Sequence, residues 1–365
     1  MSLILEQVSL QVDGQTHIHE TDLALAEKGF NVLLGTTLAG KTSLMRLMAG
    51  LVRPSAGRVF FRGADVTEVA VQRRNVSMVY QQFINYPNLS VFDNIASPLR
   101  VAGLRGAEIR ARVGPVAELL RLSPMLDRRP SELSGGQQQR CAMARALVKD
   151  ADLVLFDEPL ANLDYKLREE LREELPRLFA NRDCTVVYAT TEPSEALLLG
   201  GHTAAMHEGS VTQFGPTGRI YRQPLDLLTA TVFSDPPMNT LAVEKQGAAF
   251  MLPDGDRWPL PTAYADLADG DYTVGVRPHH VRPVADVATG GPQAATTLNG
   301  RVLVAEISGS ESTVHFEALG NTWVALTRGV RGAEPGQQMR FEVALDHAIV
   351  FVPNGQRVDA RRVEA

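Results

Sequence analysis

One eight-residue segment constrains the fold of this chain more than any other. Gly35-Thr36-Thr37-Leu38-Ala39-Gly40-Lys41-Thr42, here called the phosphate loop, fits the pattern G-x-x-x-x-G-K-[ST]. An apolar run ends just before it at Leu34, and a helical pattern starts just after it near Leu44. Glycines let backbone N–H groups turn towards phosphate oxygens, and the following helix adds its positive end. We therefore predict a strand, a phosphate-binding turn and a helix, with Lys41 reaching the phosphates and Thr42 ligating Mg²⁺.

Two adjacent acids follow a second apolar run. Leu153–Phe156 predicts a buried strand, and Asp157 and Glu158, here called the acidic pair, come directly after it. Side chains at consecutive positions diverge, so the two carboxylates can serve different tasks. We expect Asp157 to hold the metal shell and Glu158 to face an attacking water. A strand that ends in a solvated turn would also carry acids, but the phosphate loop upstream favours the functional interpretation.

A second anion-binding helix start is predicted between these motifs. It lies in Leu133-Ser134-Gly135-Gly136-Gln137, here called the signature segment, which precedes a helical pattern over Cys141 to Val148. Ser134 can cap that helix, while the two glycines leave its first N–H groups exposed. The chain is thus expected to have two phosphate-binding helix ends.

Composition and charge exclude several classes of protein. With 36 Lys+Arg against 42 Asp+Glu, the net charge of −6 gives no overall basic field for nucleic acid or an anionic membrane. No run of 18 apolar residues predicts a membrane span, and residues 1–6 lack the pattern of a secretory signal. Cys141 and Cys184 have no CxxC or His-rich companion, so we expect two buried thiols rather than a disulfide or a zinc site.

The pattern of elements changes near Ser234-Asp235-Pro236-Pro237. Upstream, apolar runs alternate with longer helical patterns, which predicts a largely parallel sheet covered by helices. Downstream, short segments with a period of two predict an all-β barrel or sandwich. We place domains at 1–235 and 236–365. The strand-like segments are Tyr272–Val276, Arg301–Ile307, Thr313–Ala318, Thr322–Thr327, Met339–Ala344 and Ala348–Val352.

The order of these motifs resembles the ATPase subunits of ABC transporters, in particular the carbohydrate-uptake importers of the maltose and glycerol-phosphate group. The resemblance implies an α/β P-loop NTPase core with a helical subdomain at about 82–150. It also implies that the β-rich tail, with Gly275-Val276-Arg277-Pro278-His279-His280, is an OB-like regulatory domain of the TOBE type. The cofactors implied are ATP and Mg²⁺. In this family two ATPase subunits pack head to tail, and each ATP lies between one phosphate loop and the other chain's signature segment.

Further site residues follow from the same resemblance. Gln81 matches the glutamine that reaches Mg²⁺ and the attacking water, and Asp164 lies in Leu160–Asp164, which resembles the D-loop that crosses to the opposite site. The implied metal ligands are Thr42, Gln81 and Asp157, and the catalytic positions are Glu158, Gln81 and Thr191. ATP contacts are expected at Val12, Gly35, Thr36, Thr37, Leu38, Ala39, Gly40, Lys41, Thr42 and Ser43. The partner's site would be completed by Leu133, Ser134, Gly135, Gly136, Gln137 and Asp164.

Three positions depart from the family pattern. Thr191 stands where the family has a histidine that hydrogen-bonds the γ-phosphate, and a threonine has a shorter reach and no positive charge. Val12 stands near the position of the aromatic residue that stacks on adenine, so only apolar contact is expected there. His17 is a possible substitute, although a surface histidine is the simpler interpretation. Leu38 replaces a frequent third glycine of the phosphate loop.

These departures suggest an asymmetric pair of ATPases. We hypothesise that this chain hydrolyses ATP weakly at its own phosphate loop and completes a more competent site on a non-identical ATPase subunit; a homodimer in which Thr191 serves well enough is the alternative. The resemblance implies two membrane permease subunits, an indirect periplasmic or extracellular solute-binding protein, no nucleic acid, and a peripheral position at the cytoplasmic face of the plasma (inner) membrane. Residues 82–87 and 189–193 look most like glycerol importers, which favours glycerol as the solute.

Two other functions stay open at this point. A soluble ABC-type protein could act on ribosomes or DNA, although the acidic balance and the absence of a second phosphate loop argue against it. A regulatory scaffold could bind ATP without turnover and sequester a partner through its tail. Copurification with two membrane proteins would favour import over either alternative.

Overall fold

The chain forms two compact units, which are described separately. The computed structural model describes residues 3–27, 29–180, 182–284, 295–329 and 332–359. The first unit is Met1–Ile220 and the second is Tyr221–Ala365. Within the described residues, no helix is both long enough and apolar enough to cross a membrane.

A largely parallel sheet forms the centre of the first unit. Its described strands lie in the order β10-β9-β3-β8-β7-β6, and the edge strand β10 runs antiparallel to β9. A smaller antiparallel sheet has the order β2-β1-β4-β5. The strands are β1 (Leu3–Val12), β2 (Gln15–Ala24), β3 (Gly29–Leu34), β4 (Ala56–Phe61), β5 (Ala64–Asp65), β6 (Val76–Val79), β7 (Leu153–Asp157), β8 (Thr185–Thr190), β9 (His202–His207) and β10 (Ser210–Pro216).

Some of the helices pack on this sheet and others pack beside it, and short 3₁₀ turns lie in the connecting segments. The α-helices are α1 (Lys41–Ala49), α2 (Val91–Val101), α3 (Gly106–Leu119), α4 (Gly135–Leu147), α5 (Tyr165–Ala180), α6 (Pro193–Leu199) and α7 (Thr217–Arg222), the last of which ends just past the division between the units. The predicted helical subdomain at about 82–150 contains α2, α3 and α4. The 3₁₀ turns are Val71–Arg73, Ser123–Met125 and Pro130–Glu132.

The burial pattern explains why these segments adopt these structures. Every residue of β7 and of β8 is buried, as expected for strands that are covered on both faces. Helix α5 buries Leu167, Leu171, Leu175 and Phe179, whose four-residue spacing puts them on one face. Because β3, β6, β7 and β8 are parallel, their carboxyl ends meet at one edge of the sheet, where ligands of such folds bind.

The second unit is built mainly from antiparallel strands. Its described strands form two sheets, in the orders β13-β12-β11-β14-β20 and β15-β19-β16-β17-β18. The elements are α8 (Leu227–Val232), β11 (Asn239–Gln246), β12 (Ala249–Met251), β13 (Arg257–Pro259), β14 (Gly270–Val276), β15 (Val281–Pro283), β16 (Ala295–Ile307), β17 (Glu311–Ala318), β18 (Asn321–Arg328), β19 (Gln338–Ala344) and β20 (Ile349–Phe351). The 3₁₀ turns of this unit are Thr262–Tyr264, Pro278–His280 and Leu345–His347.

Alternation of buried and exposed residues accounts for these strands. Residues of β11 and β17 alternate almost perfectly, and the buried side chains include Trp258 and Trp323. Each of the six segments predicted as strands contributes residues to a strand. The prediction of buried, unpaired thiols at Cys141 and Cys184 is also confirmed.

The predicted domain boundary after residue 235 stays a prediction. The compact units divide earlier, before Tyr221, and α8 therefore belongs to the second unit. The reason is packing, because Ala230 of α8 is buried in one cluster with Met238 and Phe351. Residues 285–294 and 360–365 of the predicted β-rich domain lie outside the described residues.

Candidate functional site: the phosphate loop and the acidic pair

The phosphate loop connects β3 to α1 in a conformation that requires its glycines. Gly40 precedes the helix with φ +96, and a Cβ there would lie 2.9 Å from Ile18 Cδ1 and 3.1 Å from Gly209 Cα. A Cβ on Gly35 would lie 2.6 Å from the Met206 carbonyl oxygen. Both positions therefore need a residue without a side chain. Leu38 also has a positive φ, of 69, and is almost fully exposed.

Lys41 places its ammonium group inside the loop. The side chain is buried, and Nζ donates hydrogen bonds to the carbonyl oxygens of Gly35 at 2.7 Å and Thr36 at 3.0 Å. The Glu158 carboxylate lies 3.4 Å away. Burial lowers the pKa of Lys41, whereas Glu158 favours its charged form. The lysine is thus a partly desolvated cation at the centre of a ring of backbone groups, as a phosphate-binding role needs.

Thr42 and Asp157 meet across the carboxyl edge of the sheet. The Thr42 hydroxyl donates a hydrogen bond of 2.8 Å to Asp157 Oδ2. Burial raises the pKa of Asp157, and the hydrogen bond from Thr42 acts in the opposite direction. A hydroxyl beside a carboxylate offers the hard oxygen ligands that Mg²⁺ takes in combination with phosphates and water. No group of three or more His, Cys, Asp or Glu side chains arranged for a metal occurs in the described part of the chain, so these oxygens alone would give only a partial shell.

Glu158 turns away from Asp157, as the divergence argument predicts. Its backbone has φ +47, an uncommon conformation for a residue with a side chain. The carboxylate accepts a hydrogen bond of 3.1 Å from Gln81 Nε2 and lies near Lys41. Gln81 follows β6, so the neighbouring strands β6 and β7 bring these two side chains together. A carboxylate beside a lysine and an amide is suited to orient a water molecule for attack.

These residues line one open cavity of about 460 Å³. Several lining residues come from elsewhere in the chain and were missed by the sequence analysis. Gly209, in the turn between β9 and β10, donates a backbone hydrogen bond to the Ala39 carbonyl at 3.0 Å. A Glu-Gly dipeptide marks a turn in the sequence, but nothing in it indicates proximity to residue 39. The lining consists of Gln15, Thr16, His17, Thr37, Leu38, Ala39, Gly40, Lys41, Thr42, Ser43, Gln81, Glu158, Glu208 and Gly209.

The end of the cavity near the β1–β2 hairpin differs from the expected adenine platform. Val12 lies at the end of β1, pairs with Gln15 and is 41% exposed, but it is not among the lining residues. His17, on β2, is exposed and does line the cavity. His17 is therefore a surface histidine that also brings an aromatic ring to this cavity. Adenine contact by Val12 stays a prediction.

Thr191 follows β8 at the same edge of the sheet. It is exposed and lies outside the lining of the cavity. Its neighbours are fixed more firmly: the Gly35 amide donates to the Thr190 carbonyl at 3.3 Å, and Thr190 Oγ1 donates to Glu195 Oε2 at 2.6 Å. Arg172 also pairs with Glu195, at 3.0 Å, which ties α5 to the segment after β8. No motif in the sequence indicates this ionic contact.

The signature segment forms the predicted cap of α4. Gln137 N–H donates to Ser134 Oγ at 3.4 Å, and Ser134 N–H donates to Gln137 Oε1 at 2.9 Å, which together make a capping box. Leu133 is buried and anchors the start of this helix. Residues Gly135 and Gly136 form its first turn, and a Cβ on Gly136 would lie 3.3 Å from the Asn162 carbonyl oxygen. The signature segment thus packs on the D-loop.

Asp164 caps α5 at the end of that D-loop. Its Oδ1 accepts a hydrogen bond of 3.0 Å from Leu167 N–H. Gln139 of α4 also donates to the Pro159 carbonyl, at 2.7 Å. The signature segment and D-loop are therefore held as one surface, whereas Lys41, Thr42, Gln81 and the acidic pair form the other cluster of predicted site residues.

Comparisons with known proteins agree with this geometry. A family model described as "ABC transporter" matches residues 18–161, and one described as "TOBE domain" matches residues 274–351. The chain is 37% identical to the sn-glycerol-3-phosphate import ATP-binding protein UgpC of Yersinia enterocolitica, over 88% of this chain and 89% of that protein. It is also 37% identical to the protein of that name from Chromohalobacter salexigens, over 95% of this chain and 92% of the other.

A solved structure shares the fold of the first part of the chain. It is a dimeric ATP-binding cassette in a post-hydrolysis state, bound to ADP and phosphate, with a TM-score of 0.54 and 26% identity. The match covers 59% of this chain and 98% of the cassette. On these similarities the chain belongs to the ATP-binding subunits of ABC transporters, in the carbohydrate-uptake importer group, whose members are ATPases coupled to solute import.

Proposed function

We propose that the cluster around Lys41 binds Mg²⁺-ATP and hydrolyses it to ADP and phosphate to drive uptake of a small polyol or its phosphate ester. The observation that carries the proposal is the convergence of Lys41, the Thr42–Asp157 pair and the Gln81–Glu158 pair at one edge of the sheet. This cluster supplies groups for the phosphates, the metal and the attacking water. Residues 35–43 would hold the phosphates, and Lys41 would neutralise charge on the β- and γ-phosphoryl groups.

Each residue of the cluster has a separate task in this reaction. The Thr42 hydroxyl and Asp157, with Gln81, would hold Mg²⁺, which when bound neutralises the negative charge of the phosphates. Glu158 would orient the water in line with the γ-phosphorus and take up its proton. Gln81 donates to Glu158 and would hold the carboxylate in position for that task. Positioning and charge neutralisation account for most of the rate in this reaction class.

We infer that the complete site needs a second ATPase chain. Capping hydrogen bonds and packing hold the signature segment and Asp164 in place, yet neither contributes to the lining of the cavity at Lys41. Such a surface is suited to complete the ATP site of a partner, and the similar solved cassette is described as dimeric. Two membrane permease subunits would supply the transport path, fed by a solute-binding protein, with this chain on the cytoplasmic face of the membrane.

The solute follows from two different similarities. Residues 82–87 and 189–193 look like those of glycerol importers, whereas the similar proteins from Yersinia enterocolitica and Chromohalobacter salexigens are named for import of sn-glycerol 3-phosphate. Both solutes share the glycerol skeleton, and the names favour its phosphate ester. Uptake of each radiolabelled solute by cells with and without this chain discriminates between them. Loss of neither uptake on deletion would contradict the proposed class of solute.

The threonine at position 191, where the family has a histidine, supports an asymmetric pair of ATPases. Threonine cannot supply the charged, longer hydrogen-bond donor that a histidine would offer to the γ-phosphate. We propose that this chain turns over ATP weakly at its own loop and completes a more active site on a non-identical partner. Restoring the histidine then raises the activity of the assembled complex.

The variant Thr191→His tests this proposal. The expected result is a rise of about tenfold or more in ATPase turnover of the complex reconstituted with its permeases. Thr191→Gln, which lengthens the side chain without adding a titratable group, is the matched control and is expected to stay near the starting rate. Unchanged or lower turnover with Thr191→His would contradict a limiting role for the missing histidine.

A further inference from the structure

The second unit contains a cavity of about 330 Å³ that the ATPase reaction does not use. Two 3₁₀ turns, Pro278–His280 and Leu345–His347, form much of its wall. Its volume lies in the lower range of small-molecule sites. The lining residues are Tyr221, Arg222, Ala263, Tyr264, Arg277, His279, His280, Asp346, His347, Ala348, Ile349 and Arg357.

Three histidine rings are stacked at this cavity. The centroids of His280 and His347 are 4.1 Å apart with planes 14° apart, and those of His279 and His280 are also 4.1 Å apart. The two 3₁₀ turns bring these rings together from distant parts of the sequence. Such close stacking is compatible with neutral imidazoles and becomes unfavourable when adjacent rings are charged without a counter-ion.

Arginines surround the same cavity. The Arg277 guanidinium lies 3.9 Å from the centre of the Tyr221 ring and donates to the Tyr221 carbonyl at 2.7 Å. Its Nε is buried and has no hydrogen-bond partner among the described residues. Arg357 is mostly buried, with 16% of its side chain exposed, and Arg222 also lines the cavity. Asp346 lines the cavity and Asp359 lies 3.9 Å from Arg357, so three arginines against these two carboxylates leave an excess of positive charge.

We infer that this cavity is a binding site for a tetrahedral oxyanion, either free phosphate or the phosphate group of a small organic ester. Arginines match such oxygens with paired N–H donors, and imidazolium rings add further donors when they are protonated. Among the described residues, no group of His, Cys, Asp and Glu side chains has the geometry of a metal site. This histidine cluster is therefore not arranged to bind a metal ion. The inference concerns the second unit alone and does not depend on the transported solute.

Protonation is coupled to occupancy of the site. Without an anion, burial lowers the pKa of His280 to about 3 and also lowers the pKa of His279. The neighbouring histidines and arginines act in the same direction. The charged or titratable groups facing the pair are His347, Arg222, Arg277, Arg282, Arg357, Asp346, Tyr221 and Tyr264. An anion among these groups favours the imidazolium forms, so binding takes up protons and strengthens as the pH falls.

Calorimetric titration of the full chain with sulfate tests the inference. Sulfate keeps its charge between pH 6 and pH 8, so any pH dependence arises from the protein. The titrations use the Lys41→Ala background to weaken binding at the phosphate loop. We expect sulfate to bind about tenfold more tightly at pH 6 than at pH 8, which corresponds to uptake of about half a proton. Titrations in two buffers of different ionisation enthalpy measure that uptake directly.

Variants locate the binding within the chain. His280→Gln is expected to weaken sulfate binding at pH 6 at least tenfold and to abolish proton uptake. His315→Gln, the same change on β17 outside the cavity, is expected to leave both within twofold. Arg357→Gln provides a second test at a partly exposed position and is expected to weaken binding at least fivefold. Melting curves verify that each variant is folded.

The source of the oxyanion follows from two more ligands. If inorganic phosphate binds more tightly than glycerol 3-phosphate, the occupant is the free anion. If glycerol 3-phosphate binds more tightly, the occupant is an organic phosphate. Equal sulfate affinity in His280→Gln and His315→Gln, or binding without proton uptake, would overturn the inference. Failure of all three anions to bind would do the same. Loss of transport in any of these variants has no bearing on this result.

Discussion

Glu158 provides the sharpest test of the proposed reaction. The substitution Glu158→Gln removes the carboxylate but retains the size of the side chain and an oxygen that can still accept a hydrogen bond from Gln81 Nε2, now 3.1 Å away. It also removes the negative charge 3.4 Å from Lys41 Nζ. The variant therefore separates proton acceptance from the packing of the site. The pKa of Lys41 is expected to fall further, because Glu158 favours its charged form.

The expected loss follows from the task assigned to the carboxylate. A positioned general base contributes about 10²–10⁴-fold to a rate, which corresponds to about 3–5 kcal/mol of activation free energy. We therefore expect turnover at this chain's own ATP site to fall by that factor, measured in a reconstituted complex whose other ATP site has been inactivated. Binding of Mg²⁺-ATP should change by less than about threefold, because the phosphate loop and the Thr42–Asp157 pair are intact.

Two assays on the same preparation measure these effects. Phosphate release gives the turnover, and calorimetric titration with a non-hydrolysable ATP analogue gives the affinity. Glu174→Gln is the matched control, since it makes the same chemical change on the surface of α5, where Glu174 pairs with Arg177. Turnover of Glu158→Gln within tenfold of the unaltered chain would refute the role of this carboxylate as the base. A loss of turnover that is matched by an equal loss of affinity would refute it too.

Two further predictions concern the loop glycine and the acid stability of the second unit. Gly40→Ala places a Cβ 2.9 Å from Ile18 Cδ1 at a residue with φ +96. We therefore expect the free energy of unfolding to fall by about 1–3 kcal/mol and the nucleotide affinity to fall at least tenfold. The control Gly63→Ala, at a residue with φ +83 and open space around it, should lower stability but leave nucleotide affinity unchanged. Denaturation followed by circular dichroism and nucleotide titration measure both effects, and equal affinities in the two variants would contradict the steric argument. Because the pKa of His280 is lowered to about 3, the unfolded chain binds more protons below pH 6.5, and stability falls as the pH drops. Between pH 7.5 and 4.5 this residue should remove at most about 2.5 kcal/mol, a limit that solvent screening of the partly exposed ring reduces, measured in urea by fluorescence of Trp258 and Trp323, which both lie in this unit. An unchanged pH slope in His280→Gln would exclude His280 as the source.

The sequence indicates the proposed nucleotide-binding cluster because the determinants of that cluster are local. Lys41 and Thr42 are fixed by the adjacent glycines and the start of α1, and Asp157 and Glu158 are fixed by the end of β7. Parallel strands then bring these ends to one edge, which is a consequence of the fold class. The hydrogen bonds from Thr42 to Asp157 and from Gln81 to Glu158 give the two carboxylates different partners, as the divergence of consecutive side chains predicts.

Contacts between residues that are far apart in the chain could not be predicted from the sequence. Gly209 reaches the phosphate loop only because the β9–β10 turn folds onto Ala39, and a turn motif does not specify its partner. Motif position likewise predicts that Val12 rather than His17 contacts adenine. The β1–β2 pairing instead brings His17 to the lining of the cavity. The division of the units before Tyr221 depends on the packing of Ala230 with Phe351, which no composition break marks.

The two proposed anion sites illustrate why one kind of site is visible in sequence and the other is not. At the phosphate loop the donors are backbone N–H groups, so the chain must keep glycines at fixed spacing, and that spacing is a readable motif. At the cavity in the second unit the donors are side chains of His280, His347 and Arg277, which two separate turns bring together. Side-chain sites need no common spacing along the chain. They can be identified only when the fold shows which side chains share one cavity.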